Sequence, residues 1–288
     1  MKPIRHPDAR APKGPTPAAY IPRPAVWKAP ATPPAPIPVP AGFVDLCREN
    51  GIEFDPGDPE RLGQFLALLL DANTAFNLTS IRDPAEAWTR HIFDSLTLLQ
   101  FLGELPEGAR VIDVGSGGGL PGVPLALVLP RLKFTLLEAT GKKAAYLRDV
   151  VRVLGLHNVT VLEQRAEVAG HDRGEKMATG GRAGGHRESY DAVIARAVGP
   201  LAVVAELTVP FARIGGGVFL IKGQKAGEEL AEAAEALKRL MAVHAGTVET
   251  PTGRIVAIGK SSATPRDYPR RDGEPKRAPL GVGKSKER

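Results

Sequence analysis

Residues 110–124, Arg-Val-Ile-Asp-Val-Gly-Ser-Gly-Gly-Gly-Leu-Pro-Gly-Val-Pro, constrain this chain more than any other stretch. Val111, Ile112 and Val114 read as a buried strand. Gly115 to Gly119 end it, and Leu120 and Pro121 open a helix that runs towards Pro130. A strand, a glycine loop and a helix in that order build a nucleotide-type pocket. The glycines let backbone approach a ligand, and the helix N-terminus offers free N–H groups. Pro121 and Pro124 fit, because a first helical turn has no N–H partners to lose.

The pattern after residue 110 alternates strand and helix. Strands are expected at 133–138, 158–162, 190–195 and 217–222, with helices at 141–154, 201–211 and 227–241 between or after them. Two further strands, 245–249 and 254–260, follow in tandem across a turn at Pro251-Thr252-Gly253. Strands separated by helices imply a mostly parallel, doubly wound α/β sheet. The tandem pair adds one antiparallel member.

Upstream, residues 41–105 read as a helical extension. Leu62, Phe65, Leu66, Leu69 and Leu70 keep helical spacing, and Asp83-Pro84-Ala85-Glu86 is a capping-box start. Trp88, Ile92, Leu96 and Leu99 share the apolar face of that helix. The 106–262 segment is the main domain, and its Gly/Arg/His-rich 170–188 stretch reads as an inserted mobile loop. Residues 1–40 contain 13 of the 27 prolines and are expected to be a disordered tail. Residues 263–288 form a basic C-terminal tail.

Charge is uneven. Residues 1–42 and 260–288 each carry +5 of a chain total of +6, leaving −4 between them. Basic tails suit a polyanion such as RNA or DNA, and equally suit simple solubility. Cys47 is the single cysteine, which excludes an intrachain disulfide and fits a reducing compartment. No run reaches transmembrane length, and the start is proline-rich rather than an apolar leader. A cytoplasmic protein is expected.

Two cofactors compete for the loop. Gly117-x-Gly119-x-x-Gly122 matches a nicotinamide fingerprint formally, but its third glycine falls beyond Pro121 inside the helix. Glycines alternating at 115, 117 and 119 after Asp113 resemble the first motif of class I S-adenosylmethionine-dependent methyltransferases. Their Rossmann-like, mostly parallel sheet also ends in an antiparallel pair. Glu138, closing the second strand, suits ribose hydroxyls in either case. Pyrimidine C5 methylation needs a cysteine nucleophile, and Cys47 lies far from any strand end. Ala195-Arg196-Ala197-Val198-Gly199-Pro200 is not the Asn/Asp-Pro-Pro-aromatic loop of exocyclic amine methylation. A ring nitrogen such as guanine N7 needs neither a nucleophile nor a proton acceptor, only alignment. An NAD-dependent oxidoreductase and a non-catalytic RNA-binding protein remain the alternatives.

Four blocks carry a family resemblance: 77–83 (Asn-Leu-Thr-Ser-Ile-Arg-Asp), 90–95 (Arg-His-Ile-Phe-Asp-Ser), 113–122 and 220–224 (Leu-Ile-Lys-Gly-Gln). In that order the chain resembles the glucose-inhibited division protein B family, the small-subunit ribosomal RNA guanine-N7 methyltransferases G. The likeness spans about residues 43–282 and includes Tyr268-Pro269-Arg270-Arg271-Asp272-Gly273.

The resemblance implies methyl transfer from S-adenosylmethionine to N7 of one guanine of 16S ribosomal RNA, the 527 site; separately from it, a monomer without a metal is expected. It implies that Gly115, Leu120, Glu138, Ala139, Thr140, Ala166, Glu167 and Arg196 line the cofactor. Arg196 would also border the target base, with His91 orienting rather than acting as a base. Arg90, Lys222, Arg270 and Arg271 are the expected RNA contacts. Deleting 266–288 is expected to weaken RNA binding and leave cofactor affinity intact.

Overall fold

The computed structural model describes residues 27–177, 182–196 and 199–281. Its centre is a seven-stranded sheet: β1 (Arg110–Val114), β2 (Lys133–Glu138), β3 (Val159–Glu163), β4 (Tyr190–Arg196), β5 (Ala212–Lys222), β6 (Ala242–Thr250) and β7 (Gly253–Lys260). The spatial order is β3-β2-β1-β4-β5-β7-β6. β1 to β5 pair in parallel, and β7 runs antiparallel to both β5 and β6. The chain reverses direction across the sheet between β1 and β4, so ligands belong beyond the carboxyl ends of these strands.

Period-two alternation divides the sheet between two cores. Val111 and Leu136 face one core, shared with Phe65, Leu69, Val123 and Leu147. Ile112, Val114 and Leu137 face the other, shared with Leu201, Val204 and Leu237. The first core is covered by α1 (Phe43–Glu49), α2 (Asp58–Ala72), α3 (84–96), α4 (Gly122–Val128) and α5 (Gly141–Val153). α6 (Leu201–Thr208), α7 (Ala226–Glu232) and α8 (Ala234–Arg239) cover the second. The 41–105 helices therefore share the sheet's own core. α3 runs through Pro84–Ala87, Trp88–Phe93 and Asp94–Leu96, and its middle segment is a π-helix. Its start is as expected: Asp83 Oδ1 accepts the Glu86 N–H at 2.7 Å, with Pro84 next to the cap.

Three expectations need correction. The proline-rich stretch is not a free tail up to residue 40. Residues 1–26 lie outside the described residues, but 27–40 lie against α2 without forming helix or strand. Ile37 N–H donates to the Gly63 carbonyl at 3.1 Å, where a Cβ on Gly63 would stand 2.6 Å from the Ile37 oxygen. Trp27 donates to Asp71 at 2.7 Å and meets the Tyr146 ring edge-on at 5.3 Å.

The 170–188 insertion is anchored at its base. The buried Arg187 guanidinium donates to the carbonyls of Gly170, Thr264, Pro265 and Tyr268. Residues 178–181 of this loop are outside the described residues.

The C-terminal segment is also part of the fold up to residue 281. Arg270 bonds both carboxylate oxygens of Glu206, a side chain with no exposure, at 2.9 and 2.6 Å. A last turn, α9 (Glu274–Arg277), and the buried Leu280 follow. Residues 282–288 are outside the described residues.

Candidate active site

The glycine loop is built as the sequence implies. Gly115, Gly117 and Gly119 take φ of 78°, 53° and 91°, a region that disfavours side chains. Gly122 has a separate role: a Cβ there would stand 2.7 Å from Asp113 Oδ2 and 2.4 Å from Leu136. That is the close helix–strand approach of a fingerprint's third glycine, although the helix begins at Gly122 itself, after Pro121.

Asp113 is fully buried. Its Oδ2 accepts the Gly122 N–H at 3.1 Å, and Oδ1 has no partner among the described residues. Burial pushes its carboxyl up to about 7, against the pull of the Gly122 and Ser116 hydrogen bonds and of Arg196. Glu138 holds the loop from the next strand. Its Oε2 accepts the Gly117 N–H at 3.0 Å and its Oε1 the Thr140 N–H at 2.7 Å.

A cavity of about 480 Å³ opens at this edge. Gly115, Glu138, Ala139, Ala166 and Glu167 line it together. Leu120, Thr140 and Arg196 do not: Leu120 is buried in the core, Thr140 stands at the N-cap position of α5 with its backbone N–H donated to Glu138, and Arg196 lines a separate cavity. The opposite wall comes from Asp272, Gly273, Pro275 and Lys276 of the C-terminal segment, a stretch that the family resemblance included without assigning it a place at the cofactor. Glu167 Oε1 accepts the Gly273 N–H at 3.1 Å and ties that wall to the site.

A second cavity, of about 390 Å³, lies beyond the ends of β4 and β5. Here the structure brings Arg90, His91, Arg196 and Lys222 together. Arg196 Nη1 donates to the Arg90 carbonyl at 2.9 Å and to Asp94 Oδ2 at 3.2 Å, and its Nη2 stands 3.4 Å from His91 Nδ1. Asp94 Oδ1 accepts the Thr252 hydroxyl at 2.5 Å, so the β6–β7 turn is locked to α3. Arg90 is exposed and reaches the Thr252 carbonyl at 3.4 Å. The π turn at Trp88–Phe93 shifts the register that lets Arg90, His91 and Asp94 all face Arg196; such turns recur at functional sites.

The His91 tautomer follows from its neighbours. Nδ1 faces a guanidinium donor, so it is the acceptor, and Nε2–H donates to Thr79 Oγ1 at 2.8 Å. Burial and then the Arg196 charge hold the imidazole down at about 4. Thr79 is itself placed by Asn73, whose Oδ1 accepts the Leu78 and Thr79 N–H groups and whose Nδ2 donates to the Thr79 carbonyl. Asn73, Thr79 and Thr252 were not among the expected site residues. The Asn-Leu-Thr-Ser block at 77–80 carried a signal for Thr79; Asn73 lies upstream of it and had none.

Two expected RNA contacts are occupied elsewhere. Lys222 Nζ is paired with Glu229 at 2.7 Å and donates to the Gly199 carbonyl at 2.5 Å, because Glu229 also caps Leu201 and needs a counter-charge. Arg270 is committed to Glu206, whose buried carboxylate needs a cation. Arg271 is exposed beside it.

The sheet order differs from the dinucleotide order in having antiparallel β7 between β5 and β6. The sequence model of the rRNA small subunit methyltransferase G family matches residues 58–254. The chain belongs to that family. A ribosomal RNA small subunit methyltransferase G of Sorangium cellulosum is 49% identical over 82% of this chain and 94% of that protein. One from Roseiflexus castenholzii is 40% identical over 80% and 95%, and one from Leuconostoc citreum 35% identical over 83% and 98%. A solved S-adenosylmethionine-dependent methyltransferase of Aquifex aeolicus overlays with a TM-score of 0.45 at 19% identity, over 63% of this chain and 95% of that one. In this methyltransferase the family's match covers the glycine loop, Glu138, the α3 cluster and Arg196, and stops before the Asp272–Lys276 wall.

Proposed function

We propose that this enzyme methylates N7 of a single guanine in small-subunit ribosomal RNA, the family's 527 site, with S-adenosylmethionine as donor. The observation that carries the choice of acceptor is His91: both ring nitrogens are engaged, and the imidazole stays neutral down to about pH 4. Asp94 is likewise held by Arg196 and Thr252, and Lys222 by Glu229, so among the described residues that line the acceptor-side cavity no potential base is free. Guanine N7 has an in-plane lone pair and loses no proton on attack, so it needs none.

The residues fit the donor. Glu138 keeps lone pairs towards the cavity after accepting two N–H bonds, which suits ribose hydroxyls. Gly115 lets backbone come close, and the Ala166–Glu167 side with the Gly273 wall would bracket the base. When bound, S-adenosylmethionine supplies an electrophilic sulfonium methyl group. Arg196 stands at the end of β4, against the acceptor-side cavity, and orients rather than exchanges protons. Its charge also opposes protonation of His91. The enzyme's part is alignment of two reactants.

Incubating the purified protein with methyl-labelled S-adenosylmethionine and small-subunit rRNA tests the reading. Label must enter the RNA, and N7-directed cleavage must map it to one guanine. Label on an exocyclic amine or on a pyrimidine would refute the choice of acceptor. The expected site of action is the cytoplasm; no described helix is long and apolar enough to cross a membrane.

A further inference from the structure

A cavity of about 770 Å³ lies at the opposite edge of the sheet, where β1, β2 and β3 begin. Arg61, Arg110, Arg131 and Lys133 line it. None of these four has a carboxylate within ion-pair distance among the described residues. Glu107 is the one acidic residue in the lining. The stretch between the basic ends of the chain carries a net −4, so an uncompensated basic concavity is not the average of this surface.

The three guanidiniums are also held in place. Arg131 donates to the carbonyls of Gly103 and Leu105, Arg61 donates to the Leu127 carbonyl at 3.3 Å, and Arg110 lies 4.6 Å over the Tyr190 ring. Arg110 and Lys133 are register partners on adjacent strands, so their backbones stand about 5 Å apart. Carbonyl anchors leave the charge in full, unlike a carboxylate, and fix the donors in advance.

We propose that this cavity is a second RNA-docking surface, which grips the phosphodiester backbone of the substrate at a segment other than the target loop. The inference rests on the enzyme acting on ribosomal RNA. Phe134 in the lining and Tyr190 beneath Arg110 are both buried, and the imidazoles of His157 and His186 are the other rings at the cavity, so cations rather than large aromatic platforms dominate it. The contacts are therefore to phosphate, positioning the RNA without reading its sequence. The row of cations along an open sheet edge suits an extended polyanion. The cofactor-side and acceptor-side cavities occupy the other end of the same strands, so RNA held here is a segment apart from the target base.

Lys133→Glu and Arg61→Gln test this in the full-length protein. Binding to complete small-subunit rRNA, to assembled small subunits and to a short hairpin carrying the target guanine is measured across a salt series. Each variant should weaken binding to the complete rRNA about tenfold near 50 mM salt, and lower the log–log salt slope by about 0.7–0.9 per cation lost. Hairpin affinity, S-adenosylmethionine affinity and melting temperature should match the parent protein. Unchanged slopes on complete rRNA would overturn the inference. So would an equal loss on the hairpin, or a loss confined to assembled subunits, which would assign the surface to an acidic protein partner. Failure of the parent protein to methylate rRNA would instead refute the proposed function, because the binding slopes are read without turnover.

Discussion

Arg196 and Asp94 are 102 residues apart in sequence, and Nη1 of the first stands 3.2 Å from Oδ2 of the second. Both side chains are mostly buried, at 15% and 11% exposure, so the pair is weakly screened. Through Thr252 on the other carboxylate oxygen, one aspartate connects α3, the end of β4 and the β6–β7 turn. Asp94→Ala should cost about 2–4 kcal/mol, since it strands a buried cation and a hydroxyl. Urea unfolding would register it. Arg196→Lys should retain stability better but lower methyl transfer by roughly 10–100-fold, because an ammonium cannot reproduce the guanidinium's fan of contacts.

His91 separates orientation from base catalysis. His91→Gln keeps an amide near Thr79 and removes the imidazole. Activity within about tenfold of the parent is expected, whereas loss of a general base costs about 10²–10⁴-fold. The parent's kcat/KM should show no acid limb near pH 6.5 from this group. Stability does depend on it. The unfolded chain takes up the proton first, at about 6.5, and the folded state only near 4, so stability falls as pH drops through that window. The glutamine variant should lack that part of the acid sensitivity.

Asp113 has the opposite sign. Its folded carboxyl titrates at about 7 and an unfolded one near 3.9, so the folded state holds the extra proton between them. Its contribution is most favourable below about pH 4 and declines as pH rises to about 7. Asp113→Asn keeps an acceptor for the Gly122 N–H and cannot ionise. The variant should gain stability relative to the parent between pH 5 and pH 8, by an amount on the order of 2–4 kcal/mol, in paired thermal melts.

Ending the chain at residue 262 removes more than a basic arm. Glu206 loses Arg270, Arg187 loses three of its four carbonyl acceptors, and the Gly273 wall disappears from the cofactor-side cavity. The truncated protein should melt at a lower temperature and bind S-adenosylmethionine at least tenfold more weakly by calorimetry. Arg271→Ala, at an exposed position, should leave both properties unchanged.

The fold was legible because its signals are local. Val111 to Gly119 dictate strand and loop, and the tandem strands around Pro251-Thr252-Gly253 dictate the antiparallel edge. Gly115 and Glu138 follow from strand ends, the family resemblance implied Ala139, Ala166 and Glu167, and the structure gathers all five in one cavity. What escaped the sequence depends on contacts between distant segments. Composition marks Arg270 as a free cation, yet Glu206 captures it from 64 residues away. Proline content marks residues 27–40 as a tail, but Gly63 leaves a groove in α2 that backbone fills. The π turn has no local motif, and the i, i+4, i+8 spacing of Trp88, Ile92 and Leu96 reads as ordinary α-helix.

The most direct test compares small-subunit rRNA from cells with and without the gene. N7-methylguanine is located by reduction and strand cleavage followed by primer extension. One guanine should be cleaved in RNA from the parent cells and protected in RNA from the deletion strain, with cleavage restored by the parent gene and not by Arg196→Ala. An identical cleavage pattern in the two strains would contradict the proposed activity.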